Sequence, residues 1–567
     1  MKKTFLLSCL MLAAMPVMAA YTGHVYVDKN KNGVFDQSEK PLAGIKVSDG
    51  LNVVETAADG SFTLPGHERE RFIFITTPSG YKTFNRHYHK IEKKQSGYDF
   101  GLIPYSGRIR KDGSHRYIHI TDTEIFNTEN HADWVNNVRD YARNEQAAFI
   151  IHTGDICYEK GLKAHIKLMN TENMDCPVFY CIGNHDLVKG KYGEELFESI
   201  YGPVYYSFDA GNVHYVVTPM SGGDHAPGYT SDDVCRWLKN DLAHIRPGTP
   251  VVVFNHDLLT YEDTFIFKSK NAGSINLNEY NLKAWVYGHW HINYMKKQGD
   301  VYSVCTSSLD KGGIDHSTTA FRVMHVDSKG DFTSELRYTY LDKNICIASP
   351  AGVMASGVLP VAVNVYSSVS PVREVLYTCL ADGKPVLKNK RLLQSTDWSW
   401  NGELPLSHKY VGKELTLRVT ARFNNGEIAE AESNFICRTE KAVPLFSADW
   451  DNLSGNAKHS APVSAPLNLP LQLAWTNNVG ANLYMTSPLI HKGKVIVASV
   501  DEDLKGAGHV YALNGKDGTI LWSCPVRNSI KNSIAVDSDI VFAQDAQGFL
   551  YAIDTETGKL CWEKHLP

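Results

Sequence analysis

Five short segments collect the residue types that bind metals and move protons. They are Thr121-Asp122-Thr123-Glu124, Gly154-Asp155-Ile156-Cys157-Tyr158, Gly183-Asn184-His185-Asp186, Asn255-His256 and Gly288-His289-Trp290-His291. Carboxylates, imidazoles and a neutral amide oxygen suit a pair of divalent ions. Two such ions ~4 Å apart neutralise the oxygens of a phosphate ester and supply hydroxide near neutral pH. Asp122, Asp155, Asn184, His256, His289 and His291 therefore predict a two-metal hydrolytic centre. His289 and His291 are two residues apart, so they either share a face of an extended segment or diverge from a turn toward two ions. Taken singly, each segment is also a common turn or a strand-end histidine with a structural role. It is their succession that points to chemistry.

The elements that must position these residues are strands and helices in alternation. Tyr117-Ile118-His119-Ile120, Ala148 to Ile151, Pro177 to Ile182, Val251 to Phe254 and Ala284 to Tyr287 read as strands. Trp134 to Asn144 and Val234 to Leu242 have helical spacing. This alternation predicts an α/β sandwich over residues 112–341. The chemically active residues fall just after the strands, where open α/β sheets place their sites.

The five segments, in this order, resemble the calcineurin-like metallophosphoesterases, whose pattern reads D-x-H, G-D, G-N-H-D/E, H, G-H-x-H. The resemblance runs from His115 to about Leu341 and implies an αββα sandwich. It implies that Asp155 bridges two divalent ions (Mn, Fe, Zn or Mg). Asp122 and His291 then serve the first ion, and Asn184, His256 and His289 the second. His185 is implied as the catalytic residue over the phosphoryl group and Asp186 as the residue that orients it by a hydrogen bond, with metal-bound hydroxide as the nucleophile. The chain departs from the pattern at Glu124, where the family usually has histidine. A carboxylate there still ligates the first ion, and it favours harder ions over zinc. Tyr158 is either a wall of the pocket or a tyrosinate ligand, as purple acid phosphatases have at that spacing. Trp290 and Tyr261 line a substrate pocket or pack in the core. Residues 221–231 and 260–275, long and Gly-rich or polar, are the expected specificity loops.

The rest of the chain sets this region in a larger frame. At roughly 100–200 residues per domain, 567 residues predict several domains. Lys2 and Lys3, the apolar run Phe5 to Met18 and the small Ala19 read as a signal peptide over residues 1–20, which predicts export to the periplasm, cell surface or medium. Residues 21–105 predict a prealbumin-like β-sandwich. Its polar loop carries Asp28, Asn30, Asn32, Asp36 and Glu39 at calcium-loop spacing around Gly33, or else forms a plain Asn/Gly turn. Period-two alternation predicts a second β-sandwich over 345–440. Within residues 445–567, Ala512 to Trp522 recurs at Ala552 to Trp562, a blade-like period of 40 residues. These repeats resemble the quinoprotein-type propellers, many of which hold no quinone, so none is expected here. The stretch is shorter than the ~160 residues of four blades, which predicts an incomplete propeller with unpaired edges and a truncated chain.

Fifty-seven basic against 62 acidic residues give a net charge of −5 and no support for nucleic-acid binding. No later run reads as a membrane span. Eleven scattered cysteines without a C-x-x-C pair exclude zinc-finger and thioredoxin readings. The expected function is hydrolysis of phosphate esters. A phosphodiesterase acting on nucleotide, lipid-headgroup or cell-wall phosphates is an alternative within that chemistry. A non-catalytic protein that binds glycan or protein through its β-domains is the alternative outside it.

Overall fold

The structure, a computed structural model, describes residues 20–95, 97–439, 449–460, 473–484 and 486–566. Nearly all of the expected signal peptide, residues 1–19, lies outside the described residues. Strand–helix alternation in the middle of the chain builds two sheets that share one apolar interior. In the first, Val178–Tyr180, Phe149–His152 and His115–Ile120 run parallel, and Ala320–Val326 and Phe332–Tyr338 extend the sheet antiparallel. In the second, Val213–Val217, Val251–Phe254, Leu282–Tyr287 and Val301–Cys305 run parallel between antiparallel edges at Tyr206–Ala210 and Tyr294–Gln298.

Parallel strands covered on both faces need unbroken apolar runs, and Val251–Phe254 is buried at every residue. Rings fill the space between the sheets: Tyr117 stacks on Phe149 at 4.7 Å, and Tyr215 lies 5.7 Å from Phe254. Helices Ala132–Asn144, Tyr158–Leu168 and Glu195–Tyr201 bury Trp134, Leu162 and Phe197 against the outer side of the first sheet. Helix Ser231–Ala243 buries Trp237 and Leu238 with the second sheet. It starts at a reciprocal cap: Asp233 N donates to Thr230 Oγ1 at 3.2 Å, and Thr230 N donates to Asp233 Oδ2 at 2.9 Å. Because the central strands are parallel, Ile120, His152, Tyr180, Phe254 and Tyr287 all end at the same rim, and each of the five segments hangs from one of these ends.

Residues 21–104 form a five-stranded and a four-stranded sheet around Val25, Val47, Phe62, Ile73 and Phe100. They lean on the second central sheet, where Asp209 N donates to Thr77 O at 2.8 Å. Residues 344–438 form another pair of sheets around one core. Glu414–Phe423 alternates buried and open residues along its whole length, as a one-sided strand must.

Beyond them, Leu489–Pro525 and Ala535–His565 are two four-stranded antiparallel sheets. Trp475 and Trp522 each dock on the next glycine turn. Trp475 Nε1 donates to Gly515 O at 2.9 Å, and Trp522 Nε1 to Thr555 O at 3.0 Å. Gly518 and Gly558 have positive φ, and a Cβ on either would meet the indole ring within 2.6 Å. Trp562, next in this series, is 46% exposed, and its strand Leu560–His565 is exposed throughout. Two sheets do not close a ring.

These blades rest on the central region. Asp503 pairs with Arg322 at 2.6 Å, Lys531 Nζ reaches Asn293 O at 2.7 Å and Asp315 at 2.8 Å, and Asn528 Nδ2 donates to Met295 O at 3.0 Å. All ten described cysteines are free, and eight are buried. No described helix is long and apolar enough to cross a membrane.

Candidate metal centre and active site

The strand ends bring the sequence-predicted ligands together. His256 Nε2 lies 3.1 Å from Asp155 Oδ2 and 4.0 Å from Asp122 Oδ1. The ligand atoms of Asp155, His256 and His289 fall within 4.8 Å of one another. His291 Nε2 is 3.3 Å from Asp122 Oδ1 and 3.6 Å from Glu124 Oε1. The two neighbouring histidines therefore diverge: His289 turns to His256, with ring centroids 5.0 Å apart, and His291 turns to Asp122 and Glu124.

The backbone makes this possible at a cost. Asp122, Glu124, Asp155, Cys157, Tyr158, His289 and His291 all have φ between 43° and 73°. That left-handed region costs a non-glycine residue roughly 1–2 kcal/mol, a strain typical of functional sites. The loops are also pressed together. A Cβ on Gly183 would meet Asp155 Oδ1 at 2.2 Å, and one on Gly288 would meet Thr121 Oγ1 at 1.9 Å.

Three ligand atoms test whether the set fits metal. Asn184 Oδ1 is buried without a hydrogen-bond partner, and Asp122 Oδ1 and His256 Nε2 are buried with only their close ion-pair contacts to His291 and Asp155. Leaving such groups unpaired is costly unless a cation completes them. His256 is oriented for this role, because its Nδ1 donates to Thr153 O at 2.7 Å and leaves Nε2 for a ligand bond. Asp122 is held in the same way, its Oδ2 accepting from Thr121 Oγ1 at 2.7 Å and His289 N at 3.0 Å.

The charges agree with a cation-accepting site. Burial opposes ionisation of Asp155, yet His256 and the His185 N–H hold its carboxyl below the usual range. Burial likewise opposes the charge of His256, but Asp155, through charge and hydrogen bond, and then Asp122 push it up to about 9. His291 is raised by its hydrogen bond to Asp122, against burial. Imidazoles whose proton affinity is raised in this way would have protons and metal compete for the site.

Residues 115–293 match the family described as Calcineurin-like phosphoesterase. The chain carries a calcineurin-like phosphoesterase domain. Residues 29–104 match the description "N terminal of Calcineurin-like phosphoesterase", and residues 472–567 match "Outer membrane protein assembly factor BamB". That family implies metal-dependent hydrolysis of phosphate esters.

Among solved structures, a quinohemoprotein alcohol dehydrogenase from Pseudomonas putida is 20% identical over 21% of this chain and 19% of that one, with a TM-score of 0.18. This chain thus spans about a fifth of the dehydrogenase. A predicted phosphoesterase from Streptococcus pneumoniae is 12% identical over 40% of this chain and 98% of its own, with a TM-score of 0.20. BamB from Moraxella catarrhalis is 12% identical over 44% and 60%, with a TM-score of 0.13. Likenesses this loose say nothing of substrate. No curated protein matches the chain.

In the phosphoesterase domain one expected contact is corrected. Asp186 does not orient His185. Its buried carboxylate accepts from Gly183 N at 2.9 Å and Cys157 N at 2.8 Å, closing the short turn on which it sits. Burial, then the charge of Asp155, pushes it up to about 7. The partner of His185 is Asp224, whose Oδ2 lies 2.8 Å from Nδ1. Burial opposes the charge of His185, but the hydrogen bond to Asp224 and the charge of Asp155 raise its pKa. Its backbone N–H donates to Asp155 Oδ1 at 3.0 Å.

Sequence reasoning marked residues 221–231 as a loop but did not single out Asp224. It also missed Lys311, whose Nζ lies 2.7 Å from Glu124 Oε2 and offsets the carboxylate that replaces the family's histidine. Tyr158 is the first residue of its helix and is 45% exposed, with its ring 5.4 Å from that of His185. Trp290 stacks on Tyr261 at 5.9 Å and donates from Nε1 to Asp257 Oδ1 at 3.1 Å.

In the polar loop, Asp28 accepts from the N–H groups of Asn32 and Gly33, and Asp36 accepts from the amides of Asn30 and Asn32. Glu39 accepts from Lys29 N and Asp36 N. The five candidate calcium ligands share one turn, closed by its own donors.

Proposed function

We propose that this protein is an exported phosphoesterase with a two-metal site. Asp122, Glu124 and His291 would hold one divalent ion, Asn184, His256 and His289 the other, and Asp155 would bridge them. What carries this reading is the convergence of buried ligand atoms with no ordinary hydrogen bond to complete them, Asn184 Oδ1 alone and Asp122 Oδ1 and His256 Nε2 facing only other candidate ligands. Bound ions would neutralise the ester oxygens and lower the pKa of a coordinated water.

The chain's own residues do the rest. Asp224 favours the protonated form of His185, whose backbone N–H donates to the Asp155 carboxylate. As the oxygen of water bonds to phosphorus and the bond to the leaving alcohol breaks, His185 gives its proton to the alcohol oxygen. The proton released by water restores the imidazolium, and the products are the alcohol and the phosphate.

p-Nitrophenyl phosphate and its bis ester, assayed on metal-stripped protein and after adding Mn²⁺, Fe²⁺, Zn²⁺ or Mg²⁺, test this. We expect no turnover without metal, restoration by at least one ion, and a fall of about 10²–10⁴ in kcat for His185→Ala. Turnover that survives stripping, or none with any ion, would refute the reading.

A further inference from the structure

Two aromatic side chains stand uncovered beside His185. Phe126 is 56% exposed and Tyr158 is 45% exposed. Their rings are nearly parallel, 17° apart in plane with centroids 6.4 Å apart, and Tyr158 also neighbours the His185 ring, at 5.4 Å. Neither residue is placed by chance of loop motion. Phe126 follows the ligand Glu124 by two positions, and Tyr158 follows Asp155 by three. Glu124 N donates to Asp155 O at 3.2 Å, tying the two ligand loops together. Gly161, on the first turn of the Tyr158 helix, lets the Ile125 carbonyl approach so closely that a Cβ there would meet it at 2.4 Å. Both rings are therefore fixed to the same frame as the ligands. Tyr158 itself has φ 55°, a conformation rare for a bulky residue.

Two parallel, exposed aromatic rings on the rim of a polar site offer a contact surface for a ligand. Its place identifies which part of the ligand. His185 serves the leaving oxygen, so the group carried by that oxygen departs on the side where Tyr158 and Phe126 lie.

We propose that Phe126 and Tyr158 form a stacking face for the leaving alcohol, and that the preferred substrates are phosphate esters whose alcohol carries a planar ring. This rests on the phosphoesterase reading above. An aryl group and a nucleobase share the required chemistry, a π-face of ring size, and stacking on such a platform tolerates either.

Two matched pairs of esters separate ring stacking from leaving-group reactivity and from plain apolarity. Benzyl phosphate is compared with cyclohexylmethyl phosphate, and adenosine 5′-monophosphate with ribose 5-phosphate. We expect kcat/KM to be about tenfold or more higher for the planar member of at least one pair. In Phe126→Ala, an exposed position, that ratio should fall close to one. A preference confined to the nucleotide pair assigns the face to a base, and one confined to the benzyl pair to an aryl group.

Hydrolysis with no planar preference, or a preference unchanged in Phe126→Ala, overturns the proposal while leaving the phosphoesterase reading intact. Calorimetric binding of benzylphosphonate against cyclohexylmethylphosphonate to the metal-loaded protein decides the converse. Ring-selective binding without turnover of any ester keeps the stacking face and refutes the hydrolytic reading. Equal binding without turnover refutes both.

Discussion

His185 and Asp224 form the pair on which proton delivery depends. His185 has its pKa raised in the folded protein, so the stabilisation from its contact with Asp224 is full below the unfolded histidine value and is lost as pH rises through the folded value. Activity that needs the protonated imidazole should fall over the same alkaline limb. Asp224→Asn removes the charge, and we expect the limb of kcat to move to lower pH, with kcat about tenfold down at neutral pH and metal content unchanged. A limb that stays in place would assign the proton to another group. Glu124 and Lys311 give a second test. Glu124→Ala should weaken binding of one of two ions about 10–100-fold, whereas Lys311→Ala, which removes a competing cation, should tighten it. Metal titration with elemental analysis reads both. The proposed ligands were legible because each follows a strand in a short motif. Asp224 and Lys311 were not, since their partners lie 39 and 187 residues away and no local pattern marks either one.

The element that presents Asp224 is the loop before helix Ser231–Ala243, and it is anchored from another part of the chain. Arg69 donates to Gly228 O at 2.6 Å and pairs with Asp233 at 2.8 Å. Arg71 pairs with Glu194 at 2.7 Å and Glu198 at 2.8 Å, and Glu194 accepts from Gly228 N at 2.8 Å. Gly223 sits against the Asn184 backbone, where a Cβ would meet Asn184 O at 2.4 Å. Gly223→Ala should therefore push the loop outward, lowering kcat about tenfold without changing metal content. Arg71→Ala leaves two buried carboxylates without their cation and should destabilise the protein by about 3–5 kcal/mol, measurable by denaturant unfolding. Glycine and polar residues made residues 221–231 readable as a loop. What the loop carries was not readable, because the arginines that pin it belong to the amino-terminal sheets.

Across the whole molecule, a buried polar chain joins the blades to the candidate metal centre. Asp503 pairs with the fully buried Arg322, whose Nε donates to Thr306 Oγ1 at 3.1 Å. Thr306 Oγ1 meets His119 Nδ1 at 2.9 Å, and His119 Nε2 meets Thr153 Oγ1 at 2.8 Å. Thr153 in turn receives His256 Nδ1–H on its carbonyl. Asp503→Asn removes the charge paired with the buried guanidinium and should cost up to about 3 kcal/mol, and should weaken metal binding about tenfold through His256. Metal affinity equal to wild type would show that the chain of contacts ends short of the site. The order of strand-rich and alternating regions could be read from periodicity alone. The seating of the blades could not, because it rests on isolated polar residues as far apart as Arg322 and Asp503.

That pairing has a consequence for the order in which the protein is made. Every proposed metal ligand has been synthesised by residue 291, and Arg322 follows soon after, but the carboxylate that neutralises Arg322 arrives only with residue 503. A growing chain therefore holds every proposed ligand before the carboxylate that pairs with Arg322 exists. The run of contacts from Asp503 to His256 can close only once the first blade has been made and has docked.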